Sequence, residues 1–213
     1  MSDGRHRGPR PGSTKLLPAV IVVLLMSALA ACSSAGPNLA EAPTGTESRP
    51  PVLVTMGAVE TSNLDFRTDR RDTWTQILFD KAMPAAAVFV NLAGEDITAE
   101  RVIDTQLPEL ASLHPDVVTI WVESADARRA TPAAAYQAEL AQLVAGARRA
   151  GAHQVLLLTP PVTEHNGSGA LAPSVATVAS KTGATLVSLA DTSDRYSDVG
   201  QRRIASSVIA AMK

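Results

Sequence analysis

Beyond residue 50, short apolar runs alternate with stretches whose apolar positions recur at helical spacing. Val52-Leu53-Val54-Thr55-Met56, ended by Gly57, has the length and composition of a buried strand. Trp74, Ile77, Leu78 and Met83 then predict a helix, with Asp72 placed to cap or charge its start. Residues 87–92 read as a second strand, and residues 98–107 as a helix with Val102, Ile103 and Leu107 on one face. A largely β-branched third strand covers 116–122. Pro132 opens an Ala-rich helix through Arg149, with Tyr136, Leu140, Leu143 and Val144 spaced for burial, and Gly151 stops it. Strands four and five are expected at 154–158 and 185–189, and a last helix over 197–212. Apolar strands alternating with helices imply βαβ units. The expected fold is a three-layer α/β/α sandwich around a five-stranded parallel sheet. Sites in such sheets lie at the carboxyl ends of the strands, so the informative residues should follow Met56, Leu92, Val122, Leu158 and Leu189.

The first fifty residues follow another pattern. Basic residues from Arg5 to Lys15 precede an apolar run over 16–31, broken by Pro18 and Ser27 and too short to read well as a stable membrane span. A charged start, an apolar middle and a small-residue end describe a secretory signal. That end, Leu29-Ala30-Ala31-Cys32-Ser33-Ser34, resembles the bacterial lipobox, whose cysteine is lipidated and becomes the first mature residue. The thiol is needed for the thioether; the plainer alternative is an ordinary small residue in a signal anchor. Two or more acyl chains suffice to hold a protein at a membrane. Residues 33–50 are rich in Pro, Gly, Ser and Thr without periodicity and read as a tether. The expected organisation is a signal peptide at 1–31, a lipidated Cys32 with a tether to residue 50, and one domain over 51–213. That domain would lie outside the cytoplasm, held to the lipid bilayer through Cys32.

Composition narrows the chemistry. Cys32 is the only cysteine, which excludes a disulfide framework and a cysteine zinc site. Arg5, Arg7, Arg10 and Lys15 against Asp3 give residues 1–31 a charge of +3, leaving −5 for the rest of a chain whose total is −2. A domain of that sign is a poor partner for nucleic acid.

Four stretches, in order, resemble the conserved blocks of the GDSL/SGNH hydrolases. Leu53 to Val59 is similar to the first block, in which strand one ends in Gly-Asp-Ser. Asn91 to Thr98, followed by Gln106-Leu107-Pro108, resembles the second, with its Asn-Leu-Gly. His114 to Asp126 resembles the third, Pro-Asp, a hydrophobic strand and then Gly-x-Asn-Asp. Thr192 to Ala205 resembles the last, Asp-x-x-His-Pro-Ser-x-x-Gly-His. The resemblance implies an SGNH-hydrolase or flavodoxin-like sandwich. The family's chemistry needs a serine nucleophile, a histidine base with its aspartate, and donors for an oxyanion. Carried over by position, the nucleophile falls on Val59 and the acid before it on Ala58. The second-block glycine falls on Asp96 without a gap, or on Gly94 with one. The third-block asparagine falls on Ala125, with Glu123 in place of its glycine. The histidine falls on Arg195 and its aspartate on Thr192, and Asp126 alone matches the close of the third block. Valine has no nucleophilic atom, arginine stays protonated, and a carboxylate at Asp96 would oppose a developing oxyanion.

The resemblance therefore implies an envelope lipoprotein with a hydrolase-like domain that has lost its catalytic residues and acts by binding or scaffolding, toward a small polar ligand or an envelope protein. The alternative is an ester hydrolase with a relocated pair, Ser62 or Ser124 with His165, the last lying in the loop after strand four. Glu60, Asp96, Glu123 and Asp126 should gather at the carboxyl edge. They could hold a divalent cation, but a solvated acidic rim countered by Arg128, Arg129 and Arg195 is the simpler expectation. His114 and His153 precede strands and fall at the wrong edge for a site. Trp74 and Trp121 read as core. No motif calls for a cofactor, since Gly167-Ser168-Gly169 lacks the phosphate-loop pattern.

Overall fold

A computed structural model describes residues 49–62, 69–159, 168–189 and 194–212. Cys32, His165 and Thr192 lie outside these residues, as does the signal and most of the tether. Five strands form one sheet: β1 (Val52–Gly57), β2 (Val88–Asn91), β3 (Val117–Trp121), β4 (Gln154–Leu158) and β5 (Thr185–Val187). Their spatial order is β2-β1-β3-β4-β5 and every pairing is parallel. Eight α-helices accompany them among the described residues: α1 (Val59–Ser62), α2 (Trp74–Ala82), α3 (Ala99–Thr105), α4 (Leu107–Leu113), α5 (Ser124–Arg128), α6 (Ala133–Arg149), α7 (Ala172–Thr182) and α8 (Asp198–Ala211). The expected three-layer α/β sandwich is what forms.

Two-residue alternation along the strands sorts the core into two layers. Val54 and Met56 of β1, Val118 and Ile120 of β3, and Val155 and Leu157 of β4 face one side, where Val102, Leu110, Leu140, Leu143 and Val178 of α3, α4, α6 and α7 cover them. Leu53, Trp121, Leu156 and Leu158 face the other side, under Trp74 and Leu78 of α2 and Ile204 and Val208 of α8. Trp74 and Trp121 are fully buried with ring centroids 6.0 Å apart. Truncating either to alanine should cost about 3–5 kcal/mol.

Several boundaries differ from the sequence expectation. The helix expected over 98–107 is capped by the Thr98 side chain and ends at Thr105; α4 then starts at once with Pro108 in its first turn, where a missing N–H costs nothing. Thr73, not Asp72, precedes α2, and Asp72 belongs to a short 3-10 turn, Arg70–Asp72, capped by Asp69. β5 is two residues shorter than expected. Helix α7 had no assignment from the pattern, because its buried Val175, Val178 and Ala179 sit among Ser, Thr and Ala that dilute the contrast.

Candidate functional site

The turn after β1 sets the site. Gly57 has φ 140°, and a Cβ there would lie 1.9 Å from the Trp121 carbonyl oxygen, so only glycine fits between β1 and β3. The buried Gln106 side chain clasps the same residue: Gly57 N donates to Gln106 Oε1 at 2.9 Å, and Gln106 Nε2 donates to Gly57 O at 2.9 Å. Ala58 N donates to Trp121 O, after which the chain turns sharply into α1. Helix α1 is pinned from two sides, by Trp74 Nε1 donating to Glu60 O and by Asn91 Nδ2 donating to Thr61 O, at 2.9 and 2.8 Å. Val59 is left half-buried at the carboxyl edge.

The last block is positioned as tightly. A Cβ on Gly200 would lie 1.7 Å from Asp194 O, so the turn carrying Arg195 packs directly on the start of α8. Buried Gln201 accepts from Trp74 N at 2.7 Å and donates to Arg195 O, locking that turn to α2. Arg195 itself is buried. Its Nη1 lies 3.7 Å from Glu60 Oε1 and 3.6 Å from Glu123 Oε1, with side-chain exposures of 5%, 0% and 0% for the arginine and the two glutamates. Its guanidinium stands 5.9 Å from the centroid of Trp121 and 4.9 Å from that of Tyr196, and Nη2 donates to the Tyr196 hydroxyl at 2.8 Å. Beneath Glu123, the Tyr136 hydroxyl donates to Val122 O. Burial first, then the nearby carboxylates of Glu123, Asp126 and Glu60, pushes that phenol well above its usual pKa.

The solvated acidic rim expected from Glu60, Asp96, Glu123 and Asp126 is not what forms. Glu60 and Glu123 are buried against Arg195. Asp126 is buried too, accepting from Ala99 N and from Thr131 Oγ1, both at 2.8 Å, so it anchors the start of α3. Burial outweighs those hydrogen bonds and raises its pKa. Only Asp96 meets solvent, paired with Arg128. No group of three or more His, Cys, Asp or Glu side chains suited to a metal ion occurs among the described residues.

Val59, Glu95, Asp96, Ser124, Arg128, Arg195 and Tyr196 line a cleft of about 340 Å³ at the carboxyl edge. Three of the positions matched to family catalytic residues, 59, 96 and 195, thus meet in space. Ala125 is buried just behind the cleft in the first turn of α5. Asp96 has φ 43°, a left-handed conformation that favours glycine, which fits the gap-free match of this position to the family's glycine. The other candidate, Gly94, has its N–H already committed to Gly57 O at 3.1 Å and offers no free donor. Ser62 is not brought to this cleft. Its hydroxyl donates to Val59 O, and it lines a separate hollow of about 380 Å³ with Arg70, Phe89 and Asn91. His114 and His153 sit at the opposite edge, where His153 Nε2 lies 3.9 Å from Asp116. Tyr196 was missed by sequence reasoning, although its place beside Arg195 was the available signal.

No family model and no curated protein matches the sequence. Solved structures do. TesA superposes with a TM-score of 0.63 at 23% identity, over 76% of this chain and 98% of its own. An acetylxylan esterase, Axe2 from Geobacillus stearothermophilus, gives 0.61 at 16% identity over 76% and 93%. A member of the lipolytic protein G-D-S-L family from Veillonella parvula gives 0.61 at 11% over 75% and 96%. The chain has the G-D-S-L fold. In that fold's terms, the cleft lies at the end of the strand that carries the Gly-Asp-Ser motif, with Val59 at the mouth and Arg195 on its floor.

Proposed function

We propose that this chain is a cell-envelope lipoprotein, anchored through an acylated Cys32, whose G-D-S-L-type domain binds a small polar ligand or an envelope partner and does not hydrolyse esters. The observation that carries the reading is the state of Arg195. It stands at the position matched to the family's histidine, is permanently cationic, and is buried against Glu60 and Glu123. A general base must accept a proton, and this group, already protonated, has no free lone pair with which to accept one. Val59 supplies no nucleophile, and an acidic Asp96 disfavours the oxyanion that acyl transfer must stabilise; loss of one oxyanion donor alone costs about 10²–10³ in rate. The retained cleft is what a binding role requires.

A fluorophosphonate probe tests the reading. The purified chain should remain unlabelled and should hydrolyse short acyl esters no faster than a blank; stoichiometric labelling overturns it. The anchoring part is tested separately, since Cys32→Ala should shift the protein from the detergent phase to the aqueous phase or leave an unprocessed precursor.

One observation keeps the esterase alternative specific. Ser124 lines the cleft, and a base for it among the family-like loops would have to be His165. Ester turnover that disappears in His165→Ala, with folding intact, would favour that pair.

A further inference from the structure

In a parallel sheet the covering helices run back against the strands, so their last turns gather at the amino edge, opposite the cleft. Lys81 stands in the last turn of α2, Arg148 and Arg149 in that of α6, and Lys181 in that of α7. Arg49 joins them at the entry to β1, and all five are exposed. The acids described at this edge are Asp80 and Asp116, and Arg49 already holds Asp116. Arg148 donates to Thr182 O. Lys81, Arg149 and Lys181 have no carboxylate partner among the described residues. A cation in the last turn suits the helix dipole, which explains its place without neutralising it toward solvent.

The chain's net charge of −2 does not cancel this edge. β1 has six residues, so the two ends of the sheet stand about 20 Å apart, about two Debye lengths at ~0.1 M salt. Glu95, Asp96, Asp194 and Asp198 belong to the far end, where helices begin. A second observation is independent of charge. Val88, the first residue of β2, is 45% exposed, and Pro84, Ala85 and Ala86 just before it are exposed as well. Basic and small apolar side chains thus share one edge, the combination that a headgroup layer over hydrocarbon accommodates.

The third observation is where the domain begins. Arg49 leads directly into β1, and sixteen residues, 33–48, separate it from Cys32. A coil of that length averages about 20–25 Å between its ends, against a diameter of about 40 Å for a domain of this size. We infer that the amino edge is a docking surface for a lipid bilayer with anionic headgroups, met by Lys81, Arg149 and Lys181 with residues 84–88 beside them. The inference rests on the reading that Cys32 is acylated. The anchor confines the domain, and the basic edge orients it, since each cation near an anionic surface is worth about fivefold in the equilibrium. The cleft then faces away from the membrane, toward whatever the envelope brings to it.

The test uses the acylated chain in vesicles of phosphatidylcholine alone, or of two parts phosphatidylcholine to one of phosphatidylglycerol. Acylated Cys32 has its sulfur in a thioether, so a maleimide fluorophore reaches only an added cysteine. Ser180→Cys places it at the amino edge and Ala134→Cys at the start of α6, both at exposed positions. With a nitroxide on the lipid headgroups, quenching at 180 should exceed that at 134 about threefold or more in the anionic vesicles, and the excess should shrink as salt is added. The triple variant Lys81→Gln, Arg149→Gln and Lys181→Gln changes three exposed side chains, so folding should persist, and it should lose the excess. Equal quenching at the two positions, stronger quenching at 134, an excess as large without phosphatidylglycerol, or one retained in the folded triple variant overturns the inference. Maleimide labelling of Cys32 in the chain without an added cysteine would instead overturn the acylation reading beneath it, so the two failures are separable.

Discussion

Both ends of the sheet join an arginine to carboxylate, and the contrast between them shows what burial does to an ion pair. At the amino edge, Arg49 holds Asp116 through two hydrogen bonds of 2.9 and 3.0 Å, and Asp116 also accepts from Val52 N at 2.7 Å. Arg49 and Asp116 are 50% and 23% exposed there. At the carboxyl edge, Arg195 meets Glu60 and Glu123 at longer range but in a nearly dry setting. Water pays most of the cost of separating the first pair and none of it for the second. Removing one partner therefore costs less at the pair with the better geometry.

The strongest way to break this comparison is Arg195→Ala. Two buried carboxylates would lose the Arg195 guanidinium, so urea unfolding should show a loss of about 3–5 kcal/mol. Replacing all three ions together, Glu60→Gln, Glu123→Gln and Arg195→Met, should restore much of that loss, because the desolvation cost disappears with the charges. A small effect of the single change would mean that water reaches the floor of the cleft.

The next effect is pH-dependent. Burial raises the Asp126 pKa above its value of 3.8 in the unfolded chain, so the folded state binds this proton more tightly. The associated stability is fully present below the unfolded pKa and is lost as pH rises through the folded one. Urea midpoints measured across the acid-to-neutral range should fall with rising pH by less in Asp126→Asn than in the parent chain. Glu139, raised by burial and by Asp126 and Glu100, contributes a residual slope of the same sign.

Arg49→Ala should cost less, about 0.2–1 kcal/mol, and the loss should shrink further at high salt. The smallest effect is expected for Val59→Ser, about 0.5 kcal/mol or less by thermal unfolding, since Val59 borders the open cleft. No ester turnover should appear with it, because Arg195 cannot activate the new hydroxyl.

How much of this was legible in the sequence depended on range. Strand β4 lies where its apolar run predicts, and α6 runs from the residue after Pro132 to Arg149, because burial periodicity within one segment is a local property. The meeting of positions 59, 96 and 195 followed from the blocks being in family order. The fate of Glu60 and Glu123 did not. Each stands beside polar neighbours, and a partner far along the chain, Arg195, helps to make its burial tolerable. Asp126 is similar, since the Ala99 N–H that it accepts belongs to a helix start that no local pattern links to it. Helices α1 and α5 were too short to produce a period at all.

The clasp of Gln106 on Gly57 has a consequence for how such a chain can change over generations. The sharp turn after β1 is held by a glutamine side chain, by the Trp121 carbonyl and by the absence of a Cβ at 57. None of these involves the side chain at 59. The architecture that elsewhere presents a nucleophile is thus thermodynamically independent of the nucleophile. Residue 59 can be exchanged with little effect on this turn while 57 and 106 stay fixed, so the shape of the cleft does not depend on which side chain stands at 59.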